Sequence, residues 1–507
     1  MKRHWLEFAL VFAALAAISG LATAYVNQSG WTLYYGDAEA HLDIARRVID
    51  SRNAGYDQLG TVWLPLPHLL TLALVGNNQL WRSGLAGAIP SSACFVCGGI
   101  FLYAAVKRAV HSSSAALASL GILAFNPNLL YLQATPMTET VVLAALMALL
   151  YFTVLFQETQ SLAAVIGAGV ASLAASLARY EGWFVIPFVA LYFLFAARRN
   201  RIGVAVLFSA IAALGPLYWF GHNWWIYSNP LEFYNGPYSS MAIYRRALAQ
   251  NMLRYPGDQD WKAAGLYYVT AVRLCAGWAV MAIGMAGVAA ALWKRMFWPL
   301  VLAVLPPAFY IWSMHSGGTP IFVPALWPFS YYNTRYALAA LPLLAIGGGS
   351  LVLLGPQRAR PWMAAVIVFA ASLPWLVHPQ PGAWVTWKES QQNSIQRRAW
   401  VKAAASSLAG SYHSGEGIIT SFSELTGILR EAGIPFRESL YDDPGPVWMA
   451  ATQRPDLFLH EEWAVAIAGD AVATAIQHAS LRNGPRYHLV QTVKVKGAPV
   501  IEIYKRD

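Results

Sequence analysis

The sequence predicts an α-helical polytopic membrane protein with a C-terminal α/β domain, and three observations lead to this fold class. The 507 residues are 57% hydrophobic and only 12% charged, whereas soluble proteins carry roughly a quarter charged residues. Uncharged runs fill the chain as far as residue 377, and several approach the roughly 20 residues that cross a bilayer. Thirteen of the 25 acidic residues lie after residue 380. These numbers exclude a soluble cytosolic enzyme, and three cysteines are too few for a disulfide-stabilised scaffold.

About eleven uncharged runs are each predicted to form one transmembrane helix, because a helix satisfies its own backbone hydrogen bonds in lipid. A further apolar stretch, 59–81, is not counted, since Pro65 and Pro67 favour a broken or interfacial segment. The predicted spans are 8–36, 83–106, 112–138, 140–157, 159–178, 182–197, 202–221, 274–293, 296–314, 336–357 and 361–377.

The charges in the loops predict the direction of the spans. Short loops rich in Lys and Arg stay in the cytoplasm, and the basic clusters at 107–108, 198–201, 294–295 and 358–360 share one side when the N-terminus is cytoplasmic. The prediction is a multi-pass protein of the cell inner (plasma) membrane, with the C-terminal domain extracytoplasmic. The net charge of +10 is attributed to this pattern and to anionic lipids, so nucleic acid is not expected as a partner.

Two domains are predicted, a transmembrane domain over 1–380 and a soluble domain over 381–507. The first outer loop, 37–82, belongs to the transmembrane domain and is expected to carry the catalytic residues. The tail shows the alternation of short apolar runs with helical patterns that is typical of an α/β domain. Its predicted helices are 390–408, 423–432 (capped by Ser423) and 470–480, and its predicted strands are 417–421, 455–460, 463–468, 487–494 and 499–504.

The first outer loop brings together three residues suited to proton transfer. Asp37, Glu39 and His41 follow the first span directly, and the apolar spacing of 42–51 predicts an amphipathic helix lying in the membrane interface. A carboxylate placed there could accept a proton from an acceptor hydroxyl. The alternative is structural, because Asp is also a favoured N-cap residue, which contributes about 1 kcal/mol.

Other ionisable residues are predicted at the same side of the membrane, where charges are costly unless they are paired or hydrated. For Arg179 and Glu181 the alternative to a functional role is an internal ion pair. Arg335 has no acid near it in sequence, since 261–388 contains none, so it is expected to bind an anion. The remaining candidates are Glu139 and His68 near the site, and His222, Arg245 and Arg246 in the outer loop 222–273, where a solvated loop explains them equally well.

These features together resemble the GT-C-fold integral membrane glycosyltransferases that use polyprenyl-phosphate sugars, in particular the protein-mannosyltransferase and aminoarabinose-transferase branch. The resemblance rests on Gly36–Glu39, the stretch 61–68, Arg179–Trp183 and Asn333–Tyr336, and it covers residues 1–380. It implies transfer of a sugar from a polyprenyl-phosphate donor with inversion, with Asp37 as the general base. It further implies that Arg335, with Arg245, Arg246 or His222, stabilises the donor phosphate.

The resemblance does not decide whether the activity depends on a metal ion. Asp37 and Glu39 are separated by one residue, whereas the eukaryotic protein mannosyltransferases have two adjacent acids, so a divalent cation is neither required nor excluded. The expected partners are the lipid-linked sugar, membrane lipids, and an acceptor that is a protein, a lipid or a glycan. The alternatives are a transporter or flippase of a lipid-linked sugar or polar solute, an oligosaccharide ligase, and a non-catalytic scaffold that binds a surface polymer. The sequence does not identify the sugar, the acceptor or the oligomeric state.

Overall fold

The computed structural model describes residues 2–421, 425–442 and 446–507. The chain divides into two compact units, of which the first comprises Met1–Gly30, Thr61–Pro67 and Ala88–Glu389. The second comprises Trp31–Gly60, His68–Gly87 and Ser390–Asp507. The second unit therefore combines most of the predicted first outer loop with the tail, while a division into independent domains at residue 380 stays a prediction.

The chain is mainly helical, and its 3-10 turns are short. The α-helices run, in chain order, α1 Lys2–Gln28, α2 Gly36–Ile49, α3 Leu66–Val75, α4 Asn78–Ser83, α5 Leu85–Val110, α6 Ser113–Ala124, α7 Pro127–Gln133, α8 Glu139–Thr159, α9 Leu162–Ala178, α10 Glu181–Ala196, α11 Arg201–Tyr227, α12 Glu232–Asn235, α13 Ser240–Ala249, α14 Trp261–Ala276, α15 Trp278–Trp293, α16 Phe297–His315, α17 Leu341–Ser350, α18 Arg360–Val377, α19 Val385–Ala409, α20 Thr426–Ala432, α21 Pro446–Gln453, α22 Pro455–Phe458 and α23 Ala471–Leu481. The 3-10 turns are Tyr56–Leu59, Thr334–Ala340, Leu351–Leu354, Pro381–Ala383 and Phe436–Glu438.

Among the described residues, seven helical segments are long and apolar enough to cross a membrane, and two bent pairs, α6 with α7 and α14 with α15, raise the number to nine. The shorter helices α9 and α10, of 17 and 16 residues, cover two further predicted spans. Each of the eleven predicted runs thus coincides with a helix or a bent pair, although their number as actual crossings stays a prediction. The stretch that was not counted forms α3, with only 10 residues, and the start of α4.

Glycines allow two helices of the first unit to pack at backbone distance. A Cβ atom on Gly287 of α15 would lie 1.9 Å from the carbonyl oxygen of Gly347 on α17. A Cβ atom on Gly347 would in turn lie 2.4 Å from the carbonyl oxygen of Gly284. The Gly347–Gly349 run is therefore a close-packing surface between membrane helices, where small residues let the backbones approach.

The second unit is built around a five-stranded sheet in the order β2-β1-β3-β5-β4. β1 pairs in parallel with both β2 and β3, while β5 runs antiparallel to β3 and to β4. The first two connections pass through helices, as parallel pairing requires. The strands are β1 Ile418–Thr420, β2 Ser439–Leu440, β3 Trp463–Ile467, β4 Tyr487–Val493 and β5 Ile501–Arg506.

Successive side chains of the strands enter different cores on the two faces of the sheet. Ile418 packs with Leu42 of α2, Trp81 of α4 and Trp400 of α19. Ile419, its neighbour, packs instead with residues of α21 and α23. The core on the first face is thus shared by the first loop and the tail.

The α/β character predicted for the tail is confirmed, although one predicted element is of the wrong type and β2 and α21 were not predicted. The run 455–460 was predicted as a strand but forms helix α22, with Pro455 in its first turn, where the fixed φ of proline suits a helix. The predicted cap Ser423 lies outside the described residues. The chain is therefore an α-helical, multi-pass membrane protein with an α/β unit near its C-terminus, as the composition predicted.

Candidate functional site

The first loop folds into helix α2, which carries all three predicted catalytic residues. The helix starts at Gly36, and the residue at the N-cap position is Tyr35, whose side chain makes no capping hydrogen bond. Asp37 is half-buried and lies inside the first turn. The structural alternative for Asp37, an N-cap, is therefore wrong, although an acid in the first turn still interacts favourably with the helix dipole.

His41 contacts His68, so two of the sequence candidates form a buried pair within the second unit. Nδ1 of His41 lies 2.9 Å from Nε2 of His68, and both rings are buried. Burial, together with His41 and Arg47, holds the pKa of His68 well below its usual range. His68 is therefore neutral at neutral pH, and one ring of the pair donates the hydrogen bond while the other accepts it.

The polar face of α2 is buried, which corrects the prediction of an amphipathic helix lying in the interface. Asp43, Arg46, Arg47 and Asp50 are each at most 7% exposed. Partners from the rest of the second unit cover this face: Trp81 Nε1 donates to Asp43 at 3.1 Å, Arg46 Nη1 donates to the carbonyl oxygen of Val75 at 2.7 Å, and Arg437 Nη1 donates to Asp50 at 3.1 Å. The prediction failed because the partners lie far away in sequence.

Glu39 is held by two arginines of the tail. Arg430 Nη2 and Nε donate to Oε1 of Glu39 at 2.7 and 3.2 Å, and Arg397 Nε lies 3.6 Å from Oε2. Among the described residues, no group of three or more His, Cys, Asp and Glu residues could hold a metal ion.

Four predicted residues meet in the first unit, although they come from different loops. Arg179 Nε donates to Glu181 Oε1 at 2.8 Å, so the internal ion pair expected as the structural alternative is present. Arg335 Nε donates to Glu139 Oε1 at 3.0 Å, and Arg179 Nη1 lies 3.5 Å from the same oxygen. We call Glu139, Arg179, Glu181, Arg335 and Glu389 the charged cluster.

Arg335 has a second carboxylate partner, Glu389, the residue that directly follows the acid-free stretch 261–388. Its Nη1 donates to Glu389 Oε1 at 3.0 Å, and Oε2 of Glu389 accepts hydrogen bonds from the backbone N–H and the hydroxyl of Thr334. Burial raises the pKa of Glu389, against the opposing charge of Arg335. Arg335 therefore pairs with two acids from outside the stretch 261–388, and its binding to a donor phosphate stays a prediction.

The charged cluster borders a small cavity of about 40 Å³ between helices of the first unit. This volume is far below the roughly 300–1,000 Å³ of a typical ligand pocket. Its polar lining comes from Glu139, Glu181, Tyr310, Arg335 and Tyr336, and its apolar lining includes Val142, Leu146, Met147, Leu150, Leu302 and Pro306. The lining is therefore mainly apolar, with three charged side chains among its residues.

The other three candidates for phosphate binding differ in exposure. Arg245 and Arg246 lie exposed on α13. His222 is buried at the end of α11, and its ring stacks on Trp219 at a centroid distance of 4.5 Å. The two arginines are thus accessible to a ligand, whereas His222 is part of an aromatic stack.

Sequence reasoning missed several residues of both sites. Tyr310 donates to Glu181 Oε1 at 2.7 Å and accepts from Arg179 at 2.9 Å. The sequence feature that could have identified it is a hydroxyl-bearing residue within an apolar run. Glu389 was assigned to the soluble tail, although its position next to the long acid-free stretch set it apart. Arg397 and Arg430 gave no local signal, because nothing near them in sequence indicates their partner.

Comparisons with known proteins match this architecture. A family model described as dolichyl-phosphate-mannose-protein mannosyltransferase matches residues 69–224, less than half of the chain. The crystal structure of ArnT from Cupriavidus metallidurans bound to undecaprenyl phosphate is similar with a TM-score of 0.56 at 14% identity, over 95% of this chain and 97% of that chain. The archaeal oligosaccharyltransferase AglB from Archaeoglobus fulgidus, in complex with an inhibitory peptide and a dolichol-phosphate, gives a TM-score of 0.51 at 13% identity, over 92% of this chain and 70% of that chain.

No curated protein sequence matches the chain. At identities this low the similarity establishes the fold alone. The predicted GT-C-like fold is therefore confirmed, and it extends over nearly the whole chain rather than over residues 1–380 only.

Proposed function

We propose that this protein is a membrane glycosyltransferase that moves a sugar from a polyprenyl-phosphate donor to an acceptor outside the cytoplasm. The observation that carries the proposal is the fold shared along 95% of the chain with a structure whose ligand is undecaprenyl phosphate. The mostly apolar lining of the space beside the charged cluster agrees with it, because lipid chains pack against apolar side chains.

Asp37 is the proposed general base. It takes the proton of the acceptor hydroxyl while that oxygen attacks the anomeric carbon, and the bond from this carbon to the phosphate oxygen breaks. The polyprenyl phosphate leaves with the electron pair, so the configuration at the anomeric carbon inverts. Its half-buried place in the first turn of α2 supports this role, because the side chain is partly accessible and the helix fixes the backbone that carries it.

Cationic side chains are proposed to stabilise the leaving phosphate. The charged cluster contains two arginines and three carboxylates, so the charge of Arg335 is largely balanced within it. The exposed guanidinium groups of Arg245 and Arg246 are therefore better suited to a phosphate, whose oxygens a guanidinium binds with two hydrogen bonds. In this proposal Arg335 shapes the cavity wall.

The test is release of polyprenyl phosphate. Purified protein is incubated with a panel of undecaprenyl-phosphate-linked hexoses and pentoses and a mixture of membrane lipids and peptides as acceptors, and free undecaprenyl phosphate is measured. We expect one donor to be consumed, with Asp37→Asn about 10²- to 10⁴-fold slower. Asp57→Asn, a half-buried acid of the same loop, is the matched control and should keep its activity. Full activity of Asp37→Asn would remove Asp37 as the base, and no release from any donor would contradict the function.

An oligosaccharide ligase is the second candidate, because the AglB likeness also covers 92% of this chain. That activity would use a lipid diphosphate oligosaccharide, so the same assay with such a donor separates the two. Release of lipid diphosphate instead of lipid monophosphate would favour the ligase.

A further inference from the structure

We propose that Arg430 and Arg397 are positioning residues that hold the first turn of α2, and with it Asp37, through Glu39. The inference rests on the proposed function, since it concerns the residue assigned there as base. It gives the tail a role in the reaction, which is to fix the backbone that carries the base.

The contacts at Glu39 are those of a buried, charge-assisted anchor. One oxygen accepts two hydrogen bonds from Arg430, and Arg397 lies on the other oxygen. The three side chains are only 9–11% exposed, so bulk water does not screen their interaction. Although burial acts to lower the pKa of Arg430, Glu39 and Asp43 raise it, which keeps the guanidinium charged.

The same two arginines also fix the chain around α2. Arg397 Nη2 donates to the carbonyl oxygens of Leu33 and Tyr34 at 3.0 and 2.9 Å, directly before the helix begins. Arg430 Nη1 donates to the carbonyl oxygen of Arg82 at 2.9 Å. Because Tyr35 makes no side-chain capping hydrogen bond, the N-terminus of α2 lacks the stabilisation that an N-cap residue usually provides. The arginine contacts hold the chain at this helix start instead.

Two glycines leave room for this arrangement. A Cβ atom on Gly427, in the first turn of α20, would lie 2.5 Å from Oε1 of Glu39. A Cβ atom on Gly36 would lie 2.6 Å from Nη1 of Arg397. A methyl group at either position would push the charged groups apart, so each glycine is a way to disturb the anchor without removing a charge.

The spacing of the two acids suits a division of roles. Residues two apart on a helix do not share a face, so Glu39 faces the tail arginines while Asp37 points in another direction. Misplacing a reacting group by about 1 Å can cost roughly 10²-fold in rate. Loosening the anchor should therefore slow the chemical step without weakening donor binding.

The test compares Arg430→Gln and Gly427→Ala with Arg437→Gln in the donor-release assay, calculated per folded molecule. Arg437 pairs with Asp50 at 3.1 Å, so it contacts the same helix at its far end, about 20 Å from Asp37 at 1.5 Å per residue. We expect kcat to fall about 10- to 100-fold in the first two variants with KM for the donor within about twofold of wild type. Arg437→Gln should keep wild-type kcat. Equal kcat in all three variants would overturn the proposal.

Hydrogen exchange provides a second measurement that needs no substrate. Deuterium uptake of residues 36–42 should rise in Arg430→Gln and Gly427→Ala and stay unchanged in Arg437→Gln, and unchanged uptake in the first two variants would exclude the anchor. The two proposals fail in different ways. Full activity of Asp37→Asn would reject the base, whereas an inactive Asp37→Asn with a fully active Arg430→Gln would reject only the positioning role.

Discussion

Asp43 is a buried acid of α2 whose charge changes across the neutral range. Burial and the nearby Glu39 raise its pKa to about 7, against the opposing charge of Arg430. Its value in the unfolded chain is about 3.8, so between these two values the folded state binds more protons than the unfolded state. Stability from this group is therefore lost as the pH rises from about 4 to above 7.

Asp43→Asn should remove that loss, because the amide is uncharged and its oxygen can still accept from Trp81. We expect the melting temperature of the variant, relative to wild type, to be higher at pH 8 than at pH 5. Tryptophan fluorescence during heating in detergent measures it. A difference that is equal at both pH values, or larger at pH 5, would contradict the raised pKa of Asp43.

A second prediction concerns the buried ion pair of Glu389. It is 1% exposed and pairs with Arg335, which is 4% exposed. Removing one partner of a buried pair typically costs about 3–5 kcal/mol, because the other charge stays behind. We expect Glu389→Ala to lower the free energy of unfolding by this amount. Glu158→Ala is the matched control, since the Glu158–Arg108 pair is about one-third exposed and such pairs contribute at most about 1 kcal/mol. A similar small loss in both variants would contradict the prediction.

At the scale of elements, the sequence predicted where helices form better than what they contact. Apolar spacing correctly placed a helix over α2, since its period is a local property. The same spacing predicted that α2 lies in the membrane interface, and this was wrong because residues far away in sequence bury its polar face, such as Arg437, which pairs with Asp50. The 455–460 run failed for another reason, because short apolar segments do not distinguish a helix from a strand by period.

The close packing of α15 against α17 predicts that an added methyl group between them destabilises the protein. A Cβ atom on Gly287 would meet the Gly347 carbonyl at 1.9 Å, and backbone atoms cannot move aside as a side chain can. We expect Gly287→Ala to lower the melting temperature and the folded yield. Gly265→Ala is the control, because a Cβ atom on Gly265, also within a helix, has nothing within 4 Å and alanine favours helices by roughly 1 kcal/mol. A Gly287→Ala protein as stable as Gly265→Ala would show that the two helices can separate at no cost.

For the whole molecule, the shared core of the second unit constrains the path of the chain through the membrane. Leu42 and Trp81 pack with Trp400 and Ile418 in one core, so the first loop and the tail must lie on the same side. The chain between them therefore crosses an even number of times. The ten predicted spans after the first satisfy this requirement, whereas counting 59–81 as an eleventh would place the two segments on opposite sides.

Tags inserted after Asn53, after Asn200 and after Asp507 test this path together with its direction. The basic cluster at 198–201 predicts that the middle tag is cytoplasmic, and the core requires the other two to share a side. In intact cells an impermeant reagent should therefore label the tags at 53 and 507 but not the tag at 200. Labelling at only one of the two outer positions would mean that the shared core does not form. Labelling at 200 alone would reverse the direction and place Asp37 in the cytoplasm, which would exclude an extracytoplasmic acceptor for the proposed transfer.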